Sequence, residues 1–448
     1  MSKRRTPIWL VLILVPVGLL LMIPFVWVFV SLTATPLHPT PESVPAVSDS
    51  APLPKWAGAA EQARRIARES VAAQNLPGLS VAVGVDGGGV VWAEGFGFAD
   101  LRTSTPVTPQ HRFRIGTVST ALTSAAAGLL LENGRLKLDD EIQTYVPGFP
   151  KKPQPVTLRQ LMGHTPGVKP QNGNEAPLFR EHCERAAEVL EHFSGNWQLS
   201  GPVNEYHYSI YDWILVSAAI EAAASKPFLA FMRERIFDPL GMRDTAADPG
   251  PDPVEVEGED FPLFMMIREL IHDPGATRDT AADAAKKPGA TNKPVAGQVT
   301  AYYTRFAQDP NYGMHVMRLI DFSCYAGSAV FVSTPSDLVR FGLALNSGKL
   351  LKPSTVELLQ TSQPLPSGGN TGYGLGWYVR TATLAGRQTR VVGYDGDAPR
   401  GRVASLMTFP EYGIVVAVMS NIPFADTSSV ANRIAQKFAA QGSSPPHK

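Results

Sequence analysis

Hydrophobic and polar positions divide the chain into stretches of different period. Ile8 to Leu32 is an uncharged, mostly apolar run, long enough to cross a bilayer as one helix, which takes about 20 residues. Thr33 to Pro54 has no period and is rich in Pro, Ser and Thr, the composition of an extended tether. Trp56 to Gln74 repeats its apolar positions with helical spacing. Leu79 to Val85 and Val90 to Phe96 then flank Asp86-Gly87-Gly88-Gly89, two β-rich runs around a glycine turn that predict a hairpin. A second β-rich group lies near the C-terminus: Gly376 to Thr383, Arg390 to Gly393, Val403 to Phe409 and Ile414 to Ser420. A helix from Ser428 to Ala440 follows and is expected to cover the sheet. Strands at both ends with helices between predict one α+β domain whose sheet is closed by distant chain segments. The boundaries that follow are a tail 1–7, an anchor 8–32, a tether 33–54, a domain 55–441 and a tail 442–448.

Charge sets the topology of the anchor. Lys3, Arg4 and Arg5 precede the apolar run and no Lys or Arg follows until Lys55, so the positive-inside rule leaves the N-terminus in the cytoplasm and exports the rest, into the periplasm if the cell is bacterial. A cleaved signal peptide has an apolar part of about 7–15 residues and a small-residue cleavage site; this run is longer, with no clean site, which favours an uncleaved, single-pass anchor. The 448 residues carry 40 basic and 40 acidic side chains, a balance that gives no reason to expect a nucleic-acid partner. Cys183 and Cys324 alone are too few for a disulfide framework and do not fix a redox compartment. Their pairing stays open.

Candidate chemistry lies in three separated segments. Phe113-Arg114-Ile115-Gly116-Thr117-Val118-Ser119-Thr120 resembles the helix start of the serine β-lactamase and penicillin-binding-protein family, where the pattern is Ser-x-x-Lys. Further likeness comes from Leu161-Met162-Gly163-His164-Thr165-Pro166-Gly167, Glu234-Arg235-Ile236-Phe237-Asp238-Pro239-Leu240-Gly241-Met242, Ala326-Gly327-Ser328, Ser333-Thr334-Pro335-Ser336-Asp337-Leu338 and Gly372-Tyr373-Gly374-Leu375-Gly376-Trp377. These segments, in the family's order, run from about Glu61 to Asn421 and are most similar to the class C β-lactamase, esterase and D-Ala-D-Ala peptidase branch. The run Tyr145-Val146-Pro147-Gly148-Phe149-Pro150 is also similar to mitochondrial lactamase-like proteins that assemble into filaments. The resemblance implies a β-lactamase/transpeptidase-like fold, an antiparallel sheet flanked by helices plus a mainly helical lobe, with the active site between them.

It also implies catalytic positions, and each of the three motifs has changed. Thr117 and Thr120 stand where the family has its nucleophilic serine and its lysine. They keep the i, i+3 geometry at a helix start, where the dipole favours negative charge, but supply neither cation nor base. A threonine hydroxyl attacks when a base is adjacent; this motif brings none, and no lysine in the chain has Ser or Thr three residues before it. The family's Tyr-x-Asn becomes Tyr208-Ser209-Ile210, keeping the phenol and replacing the orienting amide. With no lysine beside it, a phenol near its reference pKa of about 10 is a poor base at neutral pH. The third motif, with His or Lys before a small residue and Gly, becomes Tyr394-Asp395-Gly396, followed by Asp397. A carboxylate facing the cleft there would oppose the stabilisation of a developing oxyanion. Ile210, Asp395, Gly396 and Asp397 are accordingly the expected substrate-binding positions, with Thr117, Thr120, Tyr208 and Tyr394 at the catalytic ones.

Nothing else in the sequence replaces this machinery. No Gly-x-Ser-x-Gly elbow, His-Glu-x-x-His or Gly-x-x-x-x-Gly-Lys motif is present, and His164 reads as structural. No metal site and no cofactor is implied. Residues Asp248 to Gly297 read as an insertion that opens with Asp252, Glu255, Glu257, Glu259 and Asp260, passes through an apolar stretch holding Met265 and Met266, and turns Ala, Lys and Pro rich; a surface loop with an anchoring helix is the plainer expectation, a lid or interaction helix the sharper one. Two functions follow. One is a membrane-anchored, exported, catalytically degenerate relative of these hydrolases, acting by ligand binding or assembly on a cell-wall peptide, another acyl compound or a protein. The other is an active acyl hydrolase using Thr117 as nucleophile, with Tyr208, Tyr394 or Asp395 as proton acceptor.

Overall fold

The computed structural model describes residues 8–33, 36–151, 155–166, 168–169, 182–193, 198–199, 205–248, 250, 297–305, 309–317, 320–365, 368–398 and 401–442. The main sheet joins the two ends of the domain. β1 (Ala46–Ser48), β2 (Gly78–Val85) and β3 (Gly89–Asp100), with the short β4 (Thr105–Pro106) on β3, meet β12 (Tyr378–Leu384), β13 (Arg387–Ala398), β14 (Gly401–Phe409) and β15 (Ile414–Ser420) in the order β1-β3-β2-β15-β14-β13-β12. Every neighbouring pair is antiparallel. The hairpin and the closure by distant segments expected from the sequence are both present.

Both faces of this sheet are buried, which is why its strands read as nearly continuous apolar runs. Leu79, Val81, Val83, Ile414, Val416 and Val418 face one core. That core is roofed by α2 (Ala57–Ala73) and by the C-terminal helix Thr427–Gly442, with Phe438 between Trp56 and Trp92 at ring distances of 5.7 and 6.3 Å. Ala82, Val392, Tyr394, Ala404, Leu406, Val415, Ala417 and Met419 face the other core, shared with the helical lobe. The alternation of side chains along a strand therefore decides which residues of β13 can belong to a cleft.

The lobe is built on α3 (Ser119–Glu132), α4 (Leu158–Met162) and α5 (Ile210–Ala224). α3 and α5 are apolar nearly all round and buried on most of their positions, as helices at the centre of a domain must be. A small sheet in the order β5 (Phe113–Arg114), β11 (Phe331–Ser333), β8 (Ala246–Ala247) lies beside the start of α3. Two further pairs, β6 (Val168–Lys169) with β7 (Gln198–Leu199) and β9 (Tyr302–Thr304) with β10 (Met314–Val316), complete the described strands. Cys183 and Cys324 form a disulfide with Cα atoms 4.9 Å apart, across 141 residues of sequence.

At the N-terminus α1 is helical from Ile8 to Thr33. Among the described residues no single helix is long and apolar enough to cross a membrane; the described apolar stretch of α1 is Leu14–Trp27. The segment expected to be a loose tether is instead laid onto the domain from residue 36. Leu37 N–H donates to Asn75 Oδ1 at 2.7 Å, His38 and Val44 are buried, and β1 pairs with β3. Most of its polar residues face solvent while His38 and a few apolar ones dock. Residues 251–296, within the segment expected to be an insertion, lie outside the described residues.

Candidate functional site

Thr117 lies in a single turn, Gly116–Val118, that leads directly into α3. The turn is held from two sides. Before it, Arg114 pairs with Val332 across β5 and β11, and its guanidinium binds Asp248. Beneath it runs β13: a Cβ on Gly396 would come within 2.2 Å of Ile115 O and 3.0 Å of Val118 N, so only glycine lets strand and turn approach this closely. Thr117 and Thr120 are consequently buried, at 5% and 1% exposure.

One residue back along β13, alternation changes the picture. Tyr394 and Gly396 project toward the lobe, whereas Asp395 projects to the opposite face. There Asp395 accepts hydrogen bonds from Arg380 Nη1 and Ser405 Oγ, both at 2.8 Å, and Ser405 Oγ meets Thr427 Oγ1 at 2.7 Å under the C-terminal helix. Asp395 is thus a strut between the sheet and its roof and does not line the cleft; the expectation of a substrate-binding or proton-accepting Asp395 is corrected by the pleat. Asp397 follows an irregularity in the β13–β14 register, and its side chain lies outside what the structure describes.

Tyr394 is enclosed by aromatic rings. Its ring lies 5.1 Å from Tyr378 and 6.1 Å from Tyr373, and Tyr373 Oη donates to Tyr394 Oη at 3.3 Å. Burial pushes the Tyr394 phenol well above its usual range, and the nearby Tyr208 raises it further. Tyr373 is raised in the same way by burial. Tyr206 is also raised, first by burial and then by Tyr378. These phenols stay neutral at physiological pH and cannot stand in for a cation.

The model of the family described as Beta-lactamase matches residues 63–257 and 266–441. The chain belongs to the beta-lactamase family. It is 24% identical to the human mitochondrial serine beta-lactamase-like protein LACTB over 89% of this chain and 84% of that one. It is 22% identical to penicillin-binding protein 4* of Bacillus subtilis over 75% of this chain and 66% of that one. Among solved structures, the octameric penicillin-binding protein homologue from Pyrococcus abyssi superposes with a TM-score of 0.62 at 20% identity, covering 84% of this chain and 76% of that one, a likeness of fold. The β-lactamase-type α+β architecture expected from the sequence is therefore established.

Behind the tyrosines of this beta-lactamase-family domain lies a buried acid–base pair. His164, at the end of α4 with the left-handed φ of +56°, places Nδ1 2.8 Å from Asp212 Oδ2, and both side chains are fully buried. Burial disfavours charge on each, lowering the imidazole to about 3 and raising the carboxyl well above its usual range, so the pair is net neutral and shares one proton. Around it, the His164 carbonyl accepts from His207 N–H at 2.7 Å, Asp212 Oδ1 accepts from Val168 N–H at 3.3 Å, and Ser209 Oγ donates to Val168 O. The pair thereby hangs the loop 205–209, and Tyr208 with it, on the lobe. His164 is buried beneath this loop.

Tyr208 is the accessible member, 43% exposed, its ring 4.6 Å from that of His164. Ile210 opens α5 half-buried against the lobe core. The fold thus gathers Thr117, Thr120, Tyr394 and Gly396 at one junction, sets Tyr208 and Ile210 on the adjoining loop and helix, and sends Asp395 elsewhere. Sequence reasoning missed Asp212, Tyr206 and Tyr378. Asp212 had a signal, as the one acidic residue in the first turn of an otherwise apolar helix; the two tyrosines had none beyond their type. Arg380, the cation over Tyr378 at 4.8 Å, is committed to Asp395.

Proposed function

We propose that this protein is a membrane-anchored, exported member of the beta-lactamase family whose cleft has lost acyl-transfer chemistry and acts by binding a ligand or by assembly. The observation that carries the reading is the buried Tyr394–Tyr373 hydroxyl pair at the position where the resembling motif has lysine or histidine. A neutral, enclosed phenol neither moves protons at neutral pH nor favours an oxyanion. Thr117 and Thr120 add hydroxyls to the same junction without adding a base. Loss of members of a nucleophile–base unit costs about 10⁴ to 10⁶ in turnover, which leaves binding as the use for a retained cleft. A cell-wall peptide, another acyl compound or a protein are the candidate ligands. The apolar run Ile8 to Leu32 behind Lys3, Arg4 and Arg5 supports a single-pass anchor with the domain outside, and the Cys183–Cys324 disulfide suits an oxidising compartment.

The test is intact-mass analysis after incubation with a β-lactam and with a fluorophosphonate, comparing the native chain, Thr117→Ala and Thr117→Ser/Thr120→Lys. We expect no adduct on the native chain. An adduct that disappears in Thr117→Ala would make this a threonine-dependent acyl hydrolase and end the degenerate reading. Labelling of the double variant alone would mean that the cleft still admits acyl ligands.

A further inference from the structure

We infer that the hairpin β9–β10, with the turn Pro310–Tyr312, is the surface that the domain lays on the bilayer holding α1; this rests on the anchored reading above. The argument begins with chain length. α1 ends at Thr33, and the backbone is fixed to the domain again at Leu37, whose N–H donates to Asn75 Oδ1 at 2.7 Å. Four residue steps span at most about 14 Å. The attachment is firm: Asn75 is buried and donates from Nδ2 to Pro310 O at 3.0 Å, and the next residue, His38, is buried and stacks on Phe98 at 5.6 Å. α1 itself comes within 8 Å of Pro310–Tyr312, Cα to Cα.

The membrane then sets the geometry. At 1.5 Å per residue, α1 measures about 39 Å against a hydrocarbon core of about 30 Å, so its end reaches headgroup level. A domain attached within about 14 Å of that end meets the interface with whatever surrounds Asn75 and Pro310.

The chemistry of that surface suits the interface. Outside α1, Val316 is one of only four large hydrophobic side chains exposed among the described residues. It stands on β10, the hairpin's outer strand, beside Met314 and opposite Tyr302; Tyr303, opposite His315, lies on the other face, its ring 6.0 Å from His315 and 6.5 Å from Phe424. Arg305, exposed at the hairpin's end, donates from Nε to Met314 O at 3.2 Å. An edge with aliphatic side chains on one face, tyrosine on the other and arginine at its end matches the region where apolar bodies and polar tips are both accommodated.

The experiment uses the full chain in vesicles of phosphatidylcholine with a minority of phosphatidylglycerol. The photo-crosslinking residue p-benzoylphenylalanine replaces Tyr303, Val316 or, as a control on the exposed helix Pro353–Leu359, Leu358. Thermal unfolding checks that each variant folds, and flotation of the vesicles reports anchoring separately. We expect lipid adducts several-fold more abundant at positions 303 and 316 than at 358. Equal yields on a chain that floats would overturn this surface while leaving the anchor intact; a chain that does not float would overturn the anchored reading and this inference with it.

Discussion

Asp212 in the lobe is held in the opposite way to the carboxylates buried on the roofed face of the main sheet. On the face under α2 and the C-terminal helix, each reaches outward to a guanidinium: Glu94 accepts from Arg64 Nε at 2.8 Å and Asp395 from Arg380 Nη1 at 2.8 Å, with the two arginine side chains 27% and 51% exposed. In the lobe beyond the other face, Asp212 has as its ionisable partner an imidazole as fully buried as itself. A rim pair keeps one foot in water, so losing it costs little. A pair sealed away from water is worth little more than its apolar replacement while intact, yet breaking it strands a polar group. The junction of sheet and lobe is thus organised by groups that cannot change charge cheaply, the reverse of what proton-transfer chemistry requires.

Asp212→Ala strikes this contrast hardest. It leaves His164 Nδ1 and the Val168 N–H facing an empty site, and we expect each stranded neutral group to cost about 1–3 kcal/mol in urea unfolding. Asp395→Ala on the opposite face, which releases a half-exposed arginine to water, is expected to cost about 1 kcal/mol. Equal losses would break the comparison.

The strands also differed in how far the sequence revealed them. β2 and β15 were legible as β-rich apolar runs, because burial on both faces leaves them nearly continuously apolar. β13 was legible only as Arg390 to Gly393. Tyr394-Asp395-Gly396-Asp397 has turn composition, and what makes it strand is tertiary: pairing with β14 through Tyr394–Leu406 and Asp395–Ser405, and the contact of Gly396 with Ile115. The degenerate motifs were legible as substitutions, since Thr117, Thr120 and Ile210 announce themselves by type. That Asp395 turns from the cleft depends on register, which those four residues do not carry. The pairing of Cys183 with Cys324 over 141 residues likewise leaves no local trace.

That disulfide ties the segment before Ala186 to the turn Ser323–Ser328, whose Gly327 carbonyl accepts from Thr123 Oγ1 at 2.8 Å one turn beyond Ser119 of α3. Cys183→Ser/Cys324→Ser is expected to lower stability by about 2–4 kcal/mol. Thermal unfolding with and without reductant checks it: reductant should shift the native chain toward the double variant and leave the variant unmoved.

The buried pair also predicts a pH profile. Unfolded, His164 and Asp212 titrate near 6.5 and 3.8; folded, burial holds the first at about 3 and the second well above 3.8. Just above 3.8 both states bind one proton, the folded one as a carboxylic acid beside neutral imidazole and the unfolded one as imidazolium with carboxylate. Equal binding gives no slope. This plateau ends at its upper side where the folded carboxyl or the unfolded imidazolium loses its proton. Below 3.8 the unfolded pair holds two protons against one, so stability falls as pH drops toward about 3. Urea unfolding from acid to mildly alkaline pH should show a contribution with this plateau in the native chain, absent in His164→Asn/Asp212→Asn.

The smallest effect belongs to the hydroxyls that most mark the cleft as altered. Tyr373→Phe removes the donor to Tyr394 and keeps the T-shaped ring contact at 6.1 Å. At 3.3 Å the bond is long for one between hydroxyls, so the loss should be at or below about 1 kcal/mol, and Tyr394→Phe should match it. The double variant decides what the pair is. If the two hydroxyls serve each other, Tyr373→Phe/Tyr394→Phe costs less than the sum of the single changes, because the second removal strands nothing. Strict additivity would mean that each phenol answers to a different partner, and the enclosed tyrosines would then be separate occupants of the cleft wall with no shared polar centre.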